Sequence, residues 1–432
     1  MPRPGFVLDV DRSTPPMLFW HGERFSLERL PADRSRVIYP AEPLPGLSDP
    51  DGAIRRALLE PLDMEPLPSL LRAGMRLTIC FDDASLSLPK MRRPDSRQRI
   101  IEAVLDMAAE AGVDDVHIIA ALGLHRRMHD YELRHVLGDR IFDAFHPSGA
   151  LYQHDAEDHA NLVVLGETDH GEVLEINRRV AESDLVVYAN VNQVAMDGGW
   201  KSLVTGVASY RCLSHHHNPE SLQNTRSLMD RHHSALHHSI WRMGAVLRDN
   251  GPKVFQIEST INNDAFPSPF DFLSKREWEW TGRDRATFLA TSKALDRTPR
   301  RLARRIFHSI EAPYAMTSVQ AGFTETVHER TLEHVHAQHI VPVEGQTDIL
   351  TMGIPFISPY NPESIMNPIL VMCMGLGYLF NMYRGRPLVR DSRYRGFLPQ
   401  PRGRTQSVFP HDERGSDPHQ RRGAASAVDG RR

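Results

Sequence analysis

The sequence predicts an α/β protein of two domains, each built on a largely parallel sheet, with an interdomain cleft. Three observations predict it. Short apolar runs rich in strand-forming residues alternate with longer segments whose apolar residues recur at helical spacing. The strand-like runs are nearly continuous in apolar residues, as strands buried on both faces of a parallel sheet must be. The chain has 432 residues, enough for more than one core.

The elements follow in order. Met75–Phe81 (MRLTICF) reads as a strand. Arg99–Val113 carries apolar residues at helical spacing and closes on a glycine, so it reads as a helix. Asp115–Leu122 and Leu185–Val191 (LVVYANV) repeat the strand pattern. Loops that follow parallel strands line the ligand crevice of such folds. Asp82 and Asp83 stand after the first run, His125 after the second and Lys201 after the third. A second unit is expected to begin near the strand-like Lys253–Asn263. A basic helical stretch, Phe288–Phe307, follows it, then His339–Gly345, a loop over Pro355–Pro368 and a buried helix at Ile369–Phe380. The expected division is a cofactor-binding domain over residues 1–250 and a substrate-closing domain over 251–390. From Asp391 to Arg432 the chain is rich in Arg, Gly, Pro and Ser and has no lysine. That composition cannot bury a core, so the segment reads as a disordered tail or as a stretch out of its native reading frame.

Composition narrows the function classes. A net charge of −4 gives no reason to expect nucleic acid as a partner. Three scattered cysteines, Cys80, Cys212 and Cys373, imply no disulfide framework, which fits a reducing cytoplasm. The first residues lack the apolar core of a signal peptide. The longest apolar run, Ile369–Phe380, is too short to span a bilayer, so no membrane partner is expected.

The chemistry-bearing residues sit in two short stretches. Gly198-Gly199-Trp200-Lys201-Ser202 follows the third strand. Two glycines let backbone approach a ligand closely, and a lysine held there can pair with an anion or bond covalently to a carbonyl. Trp200 stands where a phosphate-binding P-loop needs glycine. His215, His216 and His217 lie a little further on, and a neutral imidazole is a transition-metal ligand. A second cluster, RHHSALHHS (Arg231–Ser239), puts His233 and His237 at one-turn spacing. No glutamate follows the first histidine, so this is not a zinc-protease motif, and it reads as a polar helix face.

Four segments together resemble the nickel-dependent lactate racemase family, in a divergent branch. Ala121–Met128 (ALGLHRRM) resembles its Gly-x-His-Arg catalytic loop, GGWKS its Gly-Gly-x-Lys loop, and Phe81–Ser85 (FDDAS) its Asp-Asp-x-Thr-Arg turn. Tyr152–Asn177 is similar as well, so the likeness covers most of residues 75–225. The resemblance implies an isomerase that racemises or epimerises a small-molecule 2-hydroxy acid. Hydride would pass to a nickel-pincer nucleotide tethered to Lys201. It further implies His217 as the nickel ligand, His125 as the acid/base, and Asp83 as a group orienting substrate. Gly198, Gly199, Asp82 and Ser85 would contact the cofactor, and Lys293, in LATSKAL, would bind the substrate carboxylate. Two departures are visible. Val191 stands where the family has a second catalytic histidine, and Leu86 replaces the arginine of the aspartate turn. Lys90, Arg92 and Arg93 are candidates for the missing cation. The departures also admit a different hydride-transfer reaction on the same cofactor, or a paralogue that binds metal or nucleotide without catalysis.

Overall fold

In the computed structural model, residues 1–21, 24–84, 89–353, 375 and 382–390 are described. The chain divides into two units, residues 1–391 and 392–432, and every described residue belongs to the first. The expected helix at Ile369–Phe380 and the tail lie outside the described residues, Gly375 apart.

A six-stranded sheet organises the unit. Its strands are numbered here in chain order: β1 Arg76–Asp82, β2 Asp115–Ala121, β3 Leu151–Gln153, β4 Leu185–Asn192, β5 Lys253–Ile261 and β6 Met316–Gly322. The spatial order is β6-β5-β4-β1-β2-β3. All neighbours are parallel except β6, which closes the sheet antiparallel to β5. β4 is buried along its whole length, which is why its sequence reads as an unbroken apolar run. Alternate residues feed two cores. Leu77, Ile79, Phe81, Val187 and Ala189 pack on one side, against Ile100, Val104 and Leu137. Cys80, Ile119, Val186 and Tyr188 pack on the other, against Leu203, Val204, Ile240 and Met243. The helices that supply these partners are α1 Ser96–Glu110, α2 Asp130–Phe145, α3 Lys201–Gly206 and α4 Ala235–Asn250. A further helix, α5 Thr324–His339, packs on β5 and β6.

The α/β class and the largely parallel sheet agree with the sequence. The expected boundary near residue 250 falls between α4 and β5. β5 pairs with β4 over eight residues, so the chain on both sides of that point builds one sheet. The basic helix expected over Phe288–Phe307 is two helices, Gly282–Arg297 and Arg300–Ser309. The break falls at Thr298-Pro299, because proline disfavours helical geometry in the residue before it. Among the described residues no helix is long and apolar enough to cross a membrane.

Chain order reverses between β1 and β4, since β1 continues to β2 on one side while β4 continues to β5 on the other. At such a switch point the loops beyond the carboxyl ends of the two strands diverge and leave a crevice.

Candidate active site

A cavity of about 220 Å³ occupies that crevice. Its lining runs from Asp82 to His217, so every residue comes from the chain before α4. The loops after β1, β2 and β4 bring together Asp82, Asp83, His125, Gly198, Lys201 and His217.

The turn after β1 is held by Arg97. Asp95 caps α1 by accepting the Arg97 N–H, and its carboxylate takes two guanidinium bonds from the same residue, at 2.8 and 2.7 Å. The remaining guanidinium nitrogen donates to the carbonyls of Asp82 and Asp83, at 3.0 and 2.9 Å. A bidentate, almost fully buried pair of this kind fixes position as well as charge. With the backbone held, the two aspartates point to different partners. Asp83 Oδ2 lies 2.9 Å from His125 Nδ1. Asp82 Oδ2 accepts the Val191 N–H of β4, and the Tyr188 hydroxyl bonds the same carboxyl. Burial pushes the Asp82 carboxyl up to about 7, while the Val191 N–H and Arg97 oppose that rise.

His125 reaches the cavity through a turn at Gly123, whose φ is +57°. A Cβ there would stand 2.9 Å from the Thr205 carbonyl oxygen. Gly123 N–H donates to the Gly206 carbonyl at the end of α3, which locks the turn to the lysine helix.

The Gly-Gly turn is built on a buried carboxylate. Gly198 and Gly199 both have positive φ, +87° and +60°. A Cβ on Gly198 would meet Glu258 Oε1 at 2.6 Å, so glycine is needed for space as well as for backbone geometry. Glu258, on β5, is wholly buried. Its Oε1 accepts the Gly199 N–H (2.6 Å) and Gln256 Nε2 (3.2 Å). Its Oε2 accepts Asn192 Nδ2 (2.6 Å) and lies 3.2 Å from His328 Nδ1 of α5. Burial alone would push this carboxyl up. His328, the Gly199 N–H and Asn192 outweigh burial and hold it below the ordinary carboxylate range. The turn delivers Lys201 to the cavity wall, where Nζ stands 3.5 Å from Asp197 Oδ1.

His217 follows on the same wall. Burial, then the charge of Lys201 and of His125, pushes its imidazole down to about 4, so it is neutral at pH 7. Its Nδ1 lies 2.7 Å from Nδ1 of His216, which burial pushes down to about 3. His215 points elsewhere: its Nε2 accepts the Val173 N–H at 3.2 Å.

Residues 21–230 match the lactate racemase N-terminal domain. The lactate racemase of Thermoanaerobacterium thermosaccharolyticum is 25% identical over 176 residues, 40% of this chain and 39% of the relative. That of Lactiplantibacillus plantarum is 24% identical over 217 residues, 49% of this chain and 48% of the relative. The solved lactate racemase apoprotein of T. thermosaccharolyticum superposes with a TM-score of 0.50 at 18% identity, covering 75% of this chain and 62% of that one.

Residues 21–230 thus form a divergent lactate racemase N-terminal domain.

The sequence matches span less than half the length of those two relatives, and the structural likeness carries the fold. All the cavity residues lie within the segment that matches the lactate racemase domain. Gly199 is not in the cavity lining, but its N–H anchors the turn to Glu258. Ser85 and Leu86 lie outside the described residues. Lys293 is exposed on the helix Gly282–Arg297, which packs through Phe288 against Phe272 and Trp280, and it lines neither this cavity nor the neighbouring one. Of the cations considered for the aspartate turn, Arg93 pairs with Asp139 and Lys90 lines the neighbouring cavity. Arg97, which the sequence reading passed over, is the one at the turn. His233 and His237 do not share a helix face: Ser234 caps α4 between them, and His233 binds Asp230. The sequence reading also missed Asp197 and Glu258. A glutamate inside the apolar run of β5 was the available signal for the second of these.

Proposed function

We propose that this chain is a divergent member of the lactate racemase family and racemises or epimerises a 2-hydroxy acid, using a nickel-pincer nucleotide joined to Lys201. The observation that carries the reading is convergence: Lys201, His217 and the His125–Asp83 pair line one cavity at the switch point of the sheet. The donor set fits the group. Lys201 offers an amine for a covalent link, and His217 offers an imidazole already neutral at pH 7, as a transition metal requires. Gly198 lines the cavity beside Lys201, and Gly199 anchors the turn to Glu258. When bound, this cofactor supplies a hydride acceptor, so the substrate C–H bond is broken without a base strong enough to take it as a proton.

The chain's own residues then have a lighter task. His125 accepts the hydroxyl proton of the substrate as the carbinol carbon is oxidised, and returns it when the carbon is reduced. Asp83 holds the ring through Nδ1 and so turns Nε2 toward the substrate. Arg97 keeps Asp83 in place by gripping the backbone of the turn, and Asp197 steadies Lys201. The protein in this reading is soluble in the cytoplasm and takes a small molecule as its partner.

One observation favours a second reading, a different hydride transfer on the same cofactor. Val191 makes part of the cavity wall apolar, and His125–Asp83 is the one histidine–carboxylate pair among the described lining residues. Intact-mass measurement of protein from a cofactor-producing host tests the tether. A covalent increment present in the native chain and absent from Lys201→Ala is expected, and no increment in either refutes the assignment. Loss of optical purity from a single enantiomer supports racemisation. Formation of 2-keto acid without it, one equivalent per tethered cofactor or more when an external hydride acceptor is supplied, supports the second reading.

A further inference from the structure

A second cavity, of about 110 Å³, adjoins the first. The two share Asp83, Arg97, Val191 and Gln193 in their walls, so they adjoin at Asp83 of the catalytic pair. One side of the second is apolar, and Asp83, Lys90, Arg97, Arg126 and Glu132 line the rest. Met91, Val191 and Ile261 are buried together as an apolar cluster with Tyr314 packed on it, and all four line this cavity. Burial, then the charge of Asp264, pushes the Tyr314 phenol up to about 12, so that wall carries no charge at neutral pH. Arg126 also borders the cavity, but Glu132 holds it by two bonds of 2.8 and 2.7 Å. Lys90 stands 5.9 Å from the ring centre of Tyr131, at the same cavity.

We infer that this second cavity receives the side chain of the substrate, and that the preferred substrate is a 2-hydroxy acid with a branched aliphatic or aromatic chain rather than lactate. The inference rests on the proposed function and specifies its substrate. A hydroxyl seated at His125 leaves the rest of the molecule in a cavity that Val191 also lines, and Val191 belongs to the apolar side of the second cavity. A methyl group would leave the Met91–Ile261–Tyr314 surface uncovered. A chain of three to seven further carbons would cover it. The volume suits such a chain; a second carboxylate would have to turn from the apolar side to Lys90, because Arg97 and Arg126 are held by Asp95 and Glu132.

The test is the turnover of cofactor-loaded enzyme across a series: lactate, 2-hydroxybutanoate, 2-hydroxy-4-methylpentanoate, 2-hydroxy-3-phenylpropanoate and malate. Each buried carbon should raise kcat/KM about fourfold, from the transfer free energy of a methylene group. The 4-methylpentanoate should therefore exceed lactate by roughly 50-fold. Ile261→Phe, which fills the cavity, should bring that ratio down toward one. Tyr314→Ala, which widens it, should shift the preference toward the phenyl compound and serves if the first variant does not fold. Highest turnover with lactate or malate, or a ratio unmoved by both variants, overturns the inference while leaving the racemase reading intact. No turnover of any 2-hydroxy acid refutes that reading, and the inference falls with it.

Discussion

Replacing Glu258 with glutamine is the sharpest probe of how the fold holds the lysine turn. The substitution keeps volume and one oxygen, and removes one acceptor from a site with no access to water. Four nitrogens address the native carboxylate: Gly199 N and Gln256 Nε2 at Oε1, Asn192 Nδ2 and His328 Nδ1 at Oε2. An amide oxygen can serve one pair only. Its NH2 would then face Asn192 Nδ2 across a gap of 2.6 Å, donor against donor. Each buried donor left unpaired costs about 1–3 kcal/mol, and breaking a buried charged pair about 3–5 kcal/mol. The expected loss is therefore about 3–5 kcal/mol of unfolding free energy at pH 7, read from urea denaturation. The sign with pH is fixed by the depressed native value. The carboxylate's contribution is complete above the ordinary carboxylate range, and it fades as pH falls through the lower value of the folded state. The gap between the two proteins should therefore shrink below about pH 4.3. The Gly199 amide should also exchange faster in the variant, because its acceptor is gone or reoriented. A loss under about 1 kcal/mol, or a gap that holds constant into acid, would refute the argument that this carboxylate is charged and anchors the turn.

Further outcomes follow from the same geometry. His125→Ala should lower kcat by about 10²–10⁴-fold while the covalent mass at Lys201 stays, and turnover within tenfold of native would remove it as the acid/base. His217→Ala should lose bound nickel and His215→Ala should keep it, since His215 faces the Val173 N–H; equal metal content in the two would place the ligand elsewhere. Asp82→Asn should raise the melting temperature more at pH 8 than at pH 5. The native carboxyl, pushed up to about 7, costs stability increasingly as pH rises from its ordinary range through that value; a larger gain at pH 5 would contradict the assignment. Burial pushes His237 down to about 3, so the folded state should lose stability as pH falls below about 6.5, where the unfolded chain takes up the proton first. His237→Asn should weaken that decline in acid denaturation profiles, and an unchanged slope would show that other groups set it.

The sequence by itself determined the class of the fold and the strands that carry the site. β1, β2 and β4 are legible because a strand buried on both faces needs an apolar residue at nearly every position, and such runs are rare elsewhere in this chain. Gly198 and Gly199 were equally legible as a place of close approach, and a Cβ on Gly198 would stand 2.6 Å from Glu258 Oε1. Which side chains meet was not. Asp83 and His125 are 42 positions apart, and only the parallel pairing of β1 with β2 brings their loops together. Arg97 and Glu258 act through backbone amides and carbonyls of distant segments, so neither belongs to any local motif. The placement of β5 beside β4 was likewise a tertiary decision. A strand's sequence records how deeply it is buried, and the neighbour it pairs with follows from the order in which the chain crosses the sheet.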